Sequence, residues 1–152
     1  MAHLHLFVGA TMGAGEYVAD HLAESPEAAG HQTHLHNPAN LATLGCAPGE
    51  VLLVVTATHG AGDIPDNLKP FADSLATQQP NLSANYLAVV ALGDSNYDTF
   101  CAAGQKMEAL LLACGARPLG QRLEIDVTQH DIPEDAADVW LDDWLPQLDN
   151  LA

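Results

Sequence analysis

The sequence predicts an α/β protein: a three-layer α/β/α sandwich around an open, five-stranded parallel sheet. Two observations carry this. Residues 51–55 (VLLVV) are apolar at every position, as in a strand that helices cover on both faces. Strand-like and helix-like segments also alternate five times with no linker, repeat or low-complexity tract. Right-handed crossovers of that kind wind helices onto both faces and leave ligand sites at the carboxyl ends of the strands, where the winding reverses.

The elements follow in order. Residues 4–8 make a first strand. Residues 15–29 read as a helix with Val18, Ala19, Leu22 and Ala23 on one side, closed by Gly30. Residues 31–36 alternate as an edge strand, and residues 51–55 are the buried one. A helix is expected from Pro65, where proline suits a first turn, with Leu68, Phe71 and Leu75 as its stripe. Residues 86–92 form the fourth strand. Residues 101–114 form a helix that ends at Gly115, and residues 122–127 form the fifth strand. Asp131, Pro133 and Glu134 open a last helix carrying Ala136, Trp140, Trp144 and Leu148 at i, i+4.

Composition sets the bounds. A chain of 152 residues supports one compact domain, here residues 1–152. A hydrophobic fraction of 48% excludes disorder, and no apolar run approaches the roughly 18 residues of a spanning helix. The N-terminus lacks a basic region before its apolar stretch, so a cytoplasmic protein is expected. The net charge of −16, from 20 acids against 4 bases, excludes nucleic acid and anionic membrane as partners and favours a basic protein. Cys46, Cys101 and Cys114 have neither metal-ligand nor CxxC spacing and read as small buried hydrophobes.

Three loops leave strands at the carboxyl end with unusual chemistry. Residues 9–16 (GATMGAGE) join strand to helix through Gly9, Gly13 and Gly15, leaving backbone amides and a helix N-terminus free to face an anion such as phosphate. The loop is neither a Walker A motif nor a GxGxxG fingerprint, and a tight helix-entry turn explains it equally well. Residues 56–67 (TATHGAGDIPDN) supply hydroxyls, glycines and acids. Residues 92–101 (LGDSNYDTFC) set Tyr97 among Gly93, Asp94, Ser95 and Asn96. That phenol is either a plain surface ring or a platform for a flat ligand.

Taken together, these three loops resemble those of the flavodoxins and of the related flavin domains of sulfite and cytochrome reductases. The resemblance covers essentially the whole chain. The details THGAGDIPDN, YDTFC and HDIPED are most similar to the MioC-type short flavodoxins, small free-standing carriers associated with biotin synthesis. The resemblance implies the strand order 2-1-3-4-5 and bound FMN. It places the phosphate on Thr11, Met12, Gly13, Ala14, Gly15 and Glu16, with Ala10 beside them. The isoalloxazine ring would lie between Thr56, Ala57, Thr58, His59, Gly60, Ala61 and Gly62 on one side and Leu92, Gly93, Asp94, Tyr97, Phe100 and Cys101 on the other. It further implies a monomer that takes electrons from an NADPH-dependent flavodoxin or ferredoxin reductase and passes them to a redox enzyme, without a catalytic residue of its own.

The chain departs from the family pattern in two places. Ala10, Met12 and Ala14 stand where the phosphate loop usually carries hydroxyls, so backbone amides and Thr11 must hold the anion. His59 stands where an aromatic residue often covers the inner ring face. A peptide at Gly60 or Gly62 is free to turn its carbonyl toward N5 of a flavin reduced by one electron. Asp63, Asp66, Asp94 and Asp98 crowd the same rim, so their field opposes added negative charge and lowers the potential of the second electron. Two other readings stay open: an interaction module that has lost FMN, and a flavin-dependent quinone reductase.

The remaining features have plainer readings. His3 with His5 and His34 with His36 have strand spacing, but no cysteine or carboxylate in those strands completes a metal-ligand set. Asp126, Asp131, Glu134, Asp135, Asp138, Asp142 and Asp143 read as a solvated acidic region. Trp140 and Trp144 read as packing against the sheet.

Overall fold

The computed structural model describes residues 3–9, 22, 24, 26–28, 30–36, 48–56, 64–65, 68–93, 101–126 and 133–149. Its strands are β1 (His3–Gly9), β2 (Gln32–His36), β3 (Val51–Thr56), β4 (Tyr86–Gly93), β5 (Arg117–Pro118) and β6 (Leu123–Asp126). Its bounded helices are α1 (Lys69–Gln78), α2 (Ala102–Ala113) and α3 (Pro133–Asp149). Leu22, Glu24 and Pro26 to Ala28 are helical too. They lie within the expected first helix, which gives way at Gly30 with φ 94°, a conformation that favours glycine.

All the strand pairs are parallel, in the order β2-β1-β3-β4-β5, with β6 also on β4. The expected order is present, and the last position is filled in two pieces. Tyr86 and Leu87 register with Arg117 and Pro118, and Val90 to Gly93 register with Leu123 to Asp126. Sequence periodicity found only the second piece. Pro118 has no N–H for a ladder and Gly120 turns the chain at φ 76°, so the edge bulges out between the two register points.

Burial explains the apolar run. Val51, Leu53 and Val55 point into one core with Leu4, Leu6, Leu22, Val90 and the α3 side chains Ala137, Leu141, Trp144 and Leu148. Leu52 and Val54 point into the other core with Phe7, the Leu68–Phe71–Leu75 stripe and Met107 and Leu111 of α2. Every residue of β3 is buried, and each large aliphatic side chain so covered contributes about 1.5–3 kcal/mol. The layers are therefore helix, sheet, helix, as expected.

Two helices differ in detail from the sequence reading. α1 begins at Lys69 rather than Pro65. Leu68 and Lys69 donate to the Pro65 carbonyl at 2.9 and 3.0 Å, and Pro70 in the first turn of the helix has no N–H to extend the pattern backward. In α3 the buried stripe is Ala137, Leu141, Trp144 and Leu148, with Ala136 and Trp140 only partly covered. The i, i+4 reading followed a line that drifts off the core, whereas the buried set follows i, i+4, i+7, i+11. Both tryptophans still pack: their rings stack at 4.7 Å, and Trp144 Nε1 donates to the Leu119 carbonyl at 2.9 Å.

Gly104 shows how closely α2 lies on the sheet, because a Cβ there would overlap Ala91 Cβ. Alanine ordinarily favours a helix over glycine by about 1 kcal/mol. Here Gly104→Ala is expected to destabilise by about 1–3 kcal/mol through overpacking, and the Ala91→Gly/Gly104→Ala pair is expected to recover most of it. Urea unfolding of the parent, the single variant and the pair checks both outcomes.

Candidate functional site at the carboxyl ends of the central strands

Parallel pairing brings the ends of three strands into one row: Gly9 registers with Thr56, and Thr56 with Ala91. β4 runs on to Gly93, which registers with Asp126 of β6. The three loops singled out in the sequence leave from these points, so the fold gathers their ends at one edge of the sheet.

The row is tied together. Thr56, fully buried, donates its hydroxyl to the Gly9 carbonyl at 3.2 Å. A Cβ at Gly9 would overlap Thr56 Oγ1 and lie 2.8 Å from Leu68 Cδ2, so only glycine lets the chain pass here. Thus β1, β3 and the approach to α1 meet at one point, and the first two loops start from a fixed frame. Leu68 at this junction belongs to none of the sequence-predicted site residues. Its position in the apolar stripe of α1 placed it in the core, and only the strand register brings it against Gly9.

The third loop is fixed at both ends. Leu92 is buried in the core on the α3 side, and Gly93 is half-buried at the strand end. Cys101 is fully buried, sits in the left-handed region at φ 55° just before α2, and directs its Sγ to the Ala91 carbonyl at 3.6 Å. Burial, reinforced by the Glu124 carboxylate, pushes its thiol up to about 12. It is thus a neutral, unreactive packing group. Cys114 is likewise buried, and burial raises its thiol, so both described cysteines match the reading as small hydrophobes.

Of the residues expected at the cofactor, the structure describes Thr56, Leu92, Gly93 and Cys101. Ala10, Thr11, Met12, Gly13, Ala14, Gly15, Glu16, Ala57, Thr58, His59, Gly60, Ala61, Gly62, Asp94, Tyr97 and Phe100 lie outside the described residues. Asp126 is 9% exposed at the end of β6, unlike the solvated Asp135, Asp138, Asp142 and Asp143 with which the sequence grouped it. Among the described residues no group of three or more His, Cys, Asp or Glu is placed to hold a metal ion. No helix of the described residues is long and apolar enough to cross a membrane.

Thr56→Val keeps the shape of the side chain and removes the bond to Gly9. It is expected to destabilise by about 1–3 kcal/mol, because a buried carbonyl loses its donor. Thr56→Ser, which keeps the hydroxyl, should lose less of that bond. Urea unfolding of the two variants beside the parent measures the difference.

Residues 6–140 match the family model described as Flavodoxin. The chain is 47% identical to Protein MioC of Escherichia coli (strain K12), over 97% of this chain and 99% of that protein. It is 35% identical to Flavodoxin YqcA of the same organism, over 95% and 97%. Among solved structures, a cysteine-to-serine mutant of flavodoxin from Pseudomonas aeruginosa superposes with a TM-score of 0.89 at 33% identity, covering 97% of this chain and 99% of that one. A strand order of 2-1-3-4, the origins of three loops set side by side at its carboxyl end and relatives matched along nearly their whole length agree: the chain belongs to the flavodoxin family of FMN-binding electron carriers.

Proposed function

We propose that this flavodoxin works as a monomeric, single-domain, low-potential one-electron carrier in the cytoplasm. It would be charged by an NADPH-dependent flavodoxin or ferredoxin reductase and discharged by a redox enzyme, with no substrate conversion of its own. The observation that supports the reading best is the tied row of strand ends. Gly9 packs so closely on Thr56 and Leu68 that a Cβ there would overlap both, which fixes the point at which residues 10–16 leave the sheet for a phosphate-holding role.

In this reading residues 10–16 hold the phosphate of FMN, largely through backbone amides. Residues 56–62 and 92–101 flank the ring, with Tyr97 on its outer face. When bound, FMN supplies the electron chemistry. The chain's own residues orient it, exclude water from one edge and set its potential by charge. The acids Asp63, Asp66, Asp94 and Asp98 oppose a further negative charge on the ring, and the net charge of −16 orients a basic partner over the open edge. The Cys101 thiol, buried and pushed up to about 12, stays neutral beside this site and adds no charge to it.

The direct test is the absorption spectrum of freshly purified protein, followed by reduction with dithionite. Flavin bands that disappear in two one-electron steps are expected. FMN should bind far more tightly than riboflavin or FAD in fluorescence titrations. Equal affinity for riboflavin and FMN would overturn the phosphate assignment.

Tyr97→Ala removes a stacking contact of about 0.5–1.5 kcal/mol beyond area burial. FMN affinity should fall several-fold, and the potential for the second electron should become less negative, because an electron-rich ring disfavours the anionic flavin. His59→Ala should do less, since an imidazole covers less of the ring. Fluorescence and redox titrations of both variants decide the assignment. No effect at Tyr97 with both quantities disturbed at His59 would reverse it.

A further inference from the structure

A second chemical centre lies on the other side of the sheet's pleat from the α3 core, at the β1–β2 edge, reaching from the amino ends of β1 and β3 to the last residue of β2. Parallel pairing sets His5 against His34 and Phe7 against His36, so the histidines of β1 and β2 share one face. His5 and His36, buried at 9% and 4% exposure, meet ring to ring with Nδ1 of His5 2.9 Å from Nε2 of His36. Glu50, just ahead of β3, joins them. Its Oε1 lies 3.0 Å from His5 Nε2 and its Oε2 lies 2.7 Å from His3 Nδ1. His3 also meets the Gln32 side chain. On the inner side His36 stacks on Phe7 at 4.6 Å, and Phe7 stacks on Phe71 of α1 at 4.4 Å. His34 meets the edge of His36 at 4.5 Å.

Hydrogen placement on this chain is constrained. With Glu50 ionised, His5 donates from Nε2 and presents its bare Nδ1 to His36, which must donate from Nε2. One more proton is accommodated when His36 moves its hydrogen to Nδ1 and accepts from a charged His5. A further proton is not. Both rings would then carry hydrogens into the same 2.9 Å gap, with two positive charges in a place closed by Phe7 and His34.

We propose that the His5–His36 pair is a proton-operated latch on the edge strand: double protonation breaks the ring contact and releases β2 from β1, while β3 and β4 stay paired. The groups that face His36 are His5 from β1, His34 from its own strand and, one ring further on, Glu50. Among the described contacts of the stack, α1 contributes only the neutral Phe71. Burial first, then His34 and His5, hold the His36 imidazole down at about 4 against an ordinary 6.5. The sign follows from linkage: the unfolded chain takes up the proton near 6.5 and the folded chain only near 4. Stability is therefore highest above pH 6.5, declines as the pH falls through that window, and loses nothing more from this group below about 4.

The experiment uses the FMN-loaded protein. NMR titration of the histidine rings should give His36 a midpoint near 4, and amide-exchange protection of Gln32 to His36 should drop through that titration before β3 and β4 lose theirs. Unfolding at about pH 5 should take up close to one proton more in the parent than in His36→Phe, which keeps a ring against Phe7 but cannot titrate. His36→Gln gives the same comparison if the phenylalanine does not fold. Three outcomes would overturn the latch: a His36 midpoint near 6.5 with β2 still protected, loss of β2 and β3 together, or an unchanged proton uptake in both variants. Protonation of Glu50 does not mimic the effect, because it persists in the His36 variants and cancels in the comparison.

Discussion

Everything in this molecule rests on β3 being apolar on both faces. Val51, Leu53 and Val55 hold one helical layer and Leu52 and Val54 the other, so the strand must lie in the middle of a covered sheet. Its parallel ladders to β1 and β4 then follow, and so does the register that sets Gly9, Thr56 and Ala91 side by side. A one-residue slip would turn five aliphatic side chains to the wrong layer and would separate the loop origins by the same step. The hydrophobic requirement and the site requirement are met by one alignment.

The two ends of that sheet carry opposite chemistry. At the carboxyl ends the polar groups are used up in fixing backbone: the Thr56 hydroxyl on Gly9 and the Cys101 thiol on Ala91. These residues stand where the loops proposed to hold FMN leave the sheet. At the amino ends of β1 and β3 the polar groups face one another, with Glu50 between His3 and His5, and His36, from the last position of β2, meets His5 behind them. A net charge of −16 raises the local proton concentration over the whole surface. A buried imidazole held well below its usual range is therefore a feature that packing has to maintain.

Much of this was readable in the sequence, because it depends on local pattern. The unbroken run at Val51, the alternation at residues 31–36 and the glycines closing helices at Gly30 and Gly115 each state a local requirement, and both glycines have φ 94°. The features that were not readable depend on register. Nothing local says that Leu68 will meet Gly9, that Asp126 will be covered at the end of β6, or that Glu50 will reach two histidines of a strand 45 residues earlier. The start of α1 was misplaced because Pro65 and Pro70 both suit a first turn, and only the backbone bonds distinguish them. The split edge strand was missed because a two-residue piece ending in proline has no periodicity to detect.

The claim on which the rest depends is that the strand alignment builds the cofactor site at the carboxyl ends of β1, β3 and β4. Backbone amide shifts recorded while FMN is added to the flavin-free protein test it most directly. The largest changes are expected at Gly9, Thr56 and Gly93 and in the loops that follow them, with little change at Gln32, Glu50 and Tyr86 on the opposite edge. Largest changes at Gln32, Glu50 and Tyr86, with Gly9 and Thr56 undisturbed, would contradict it.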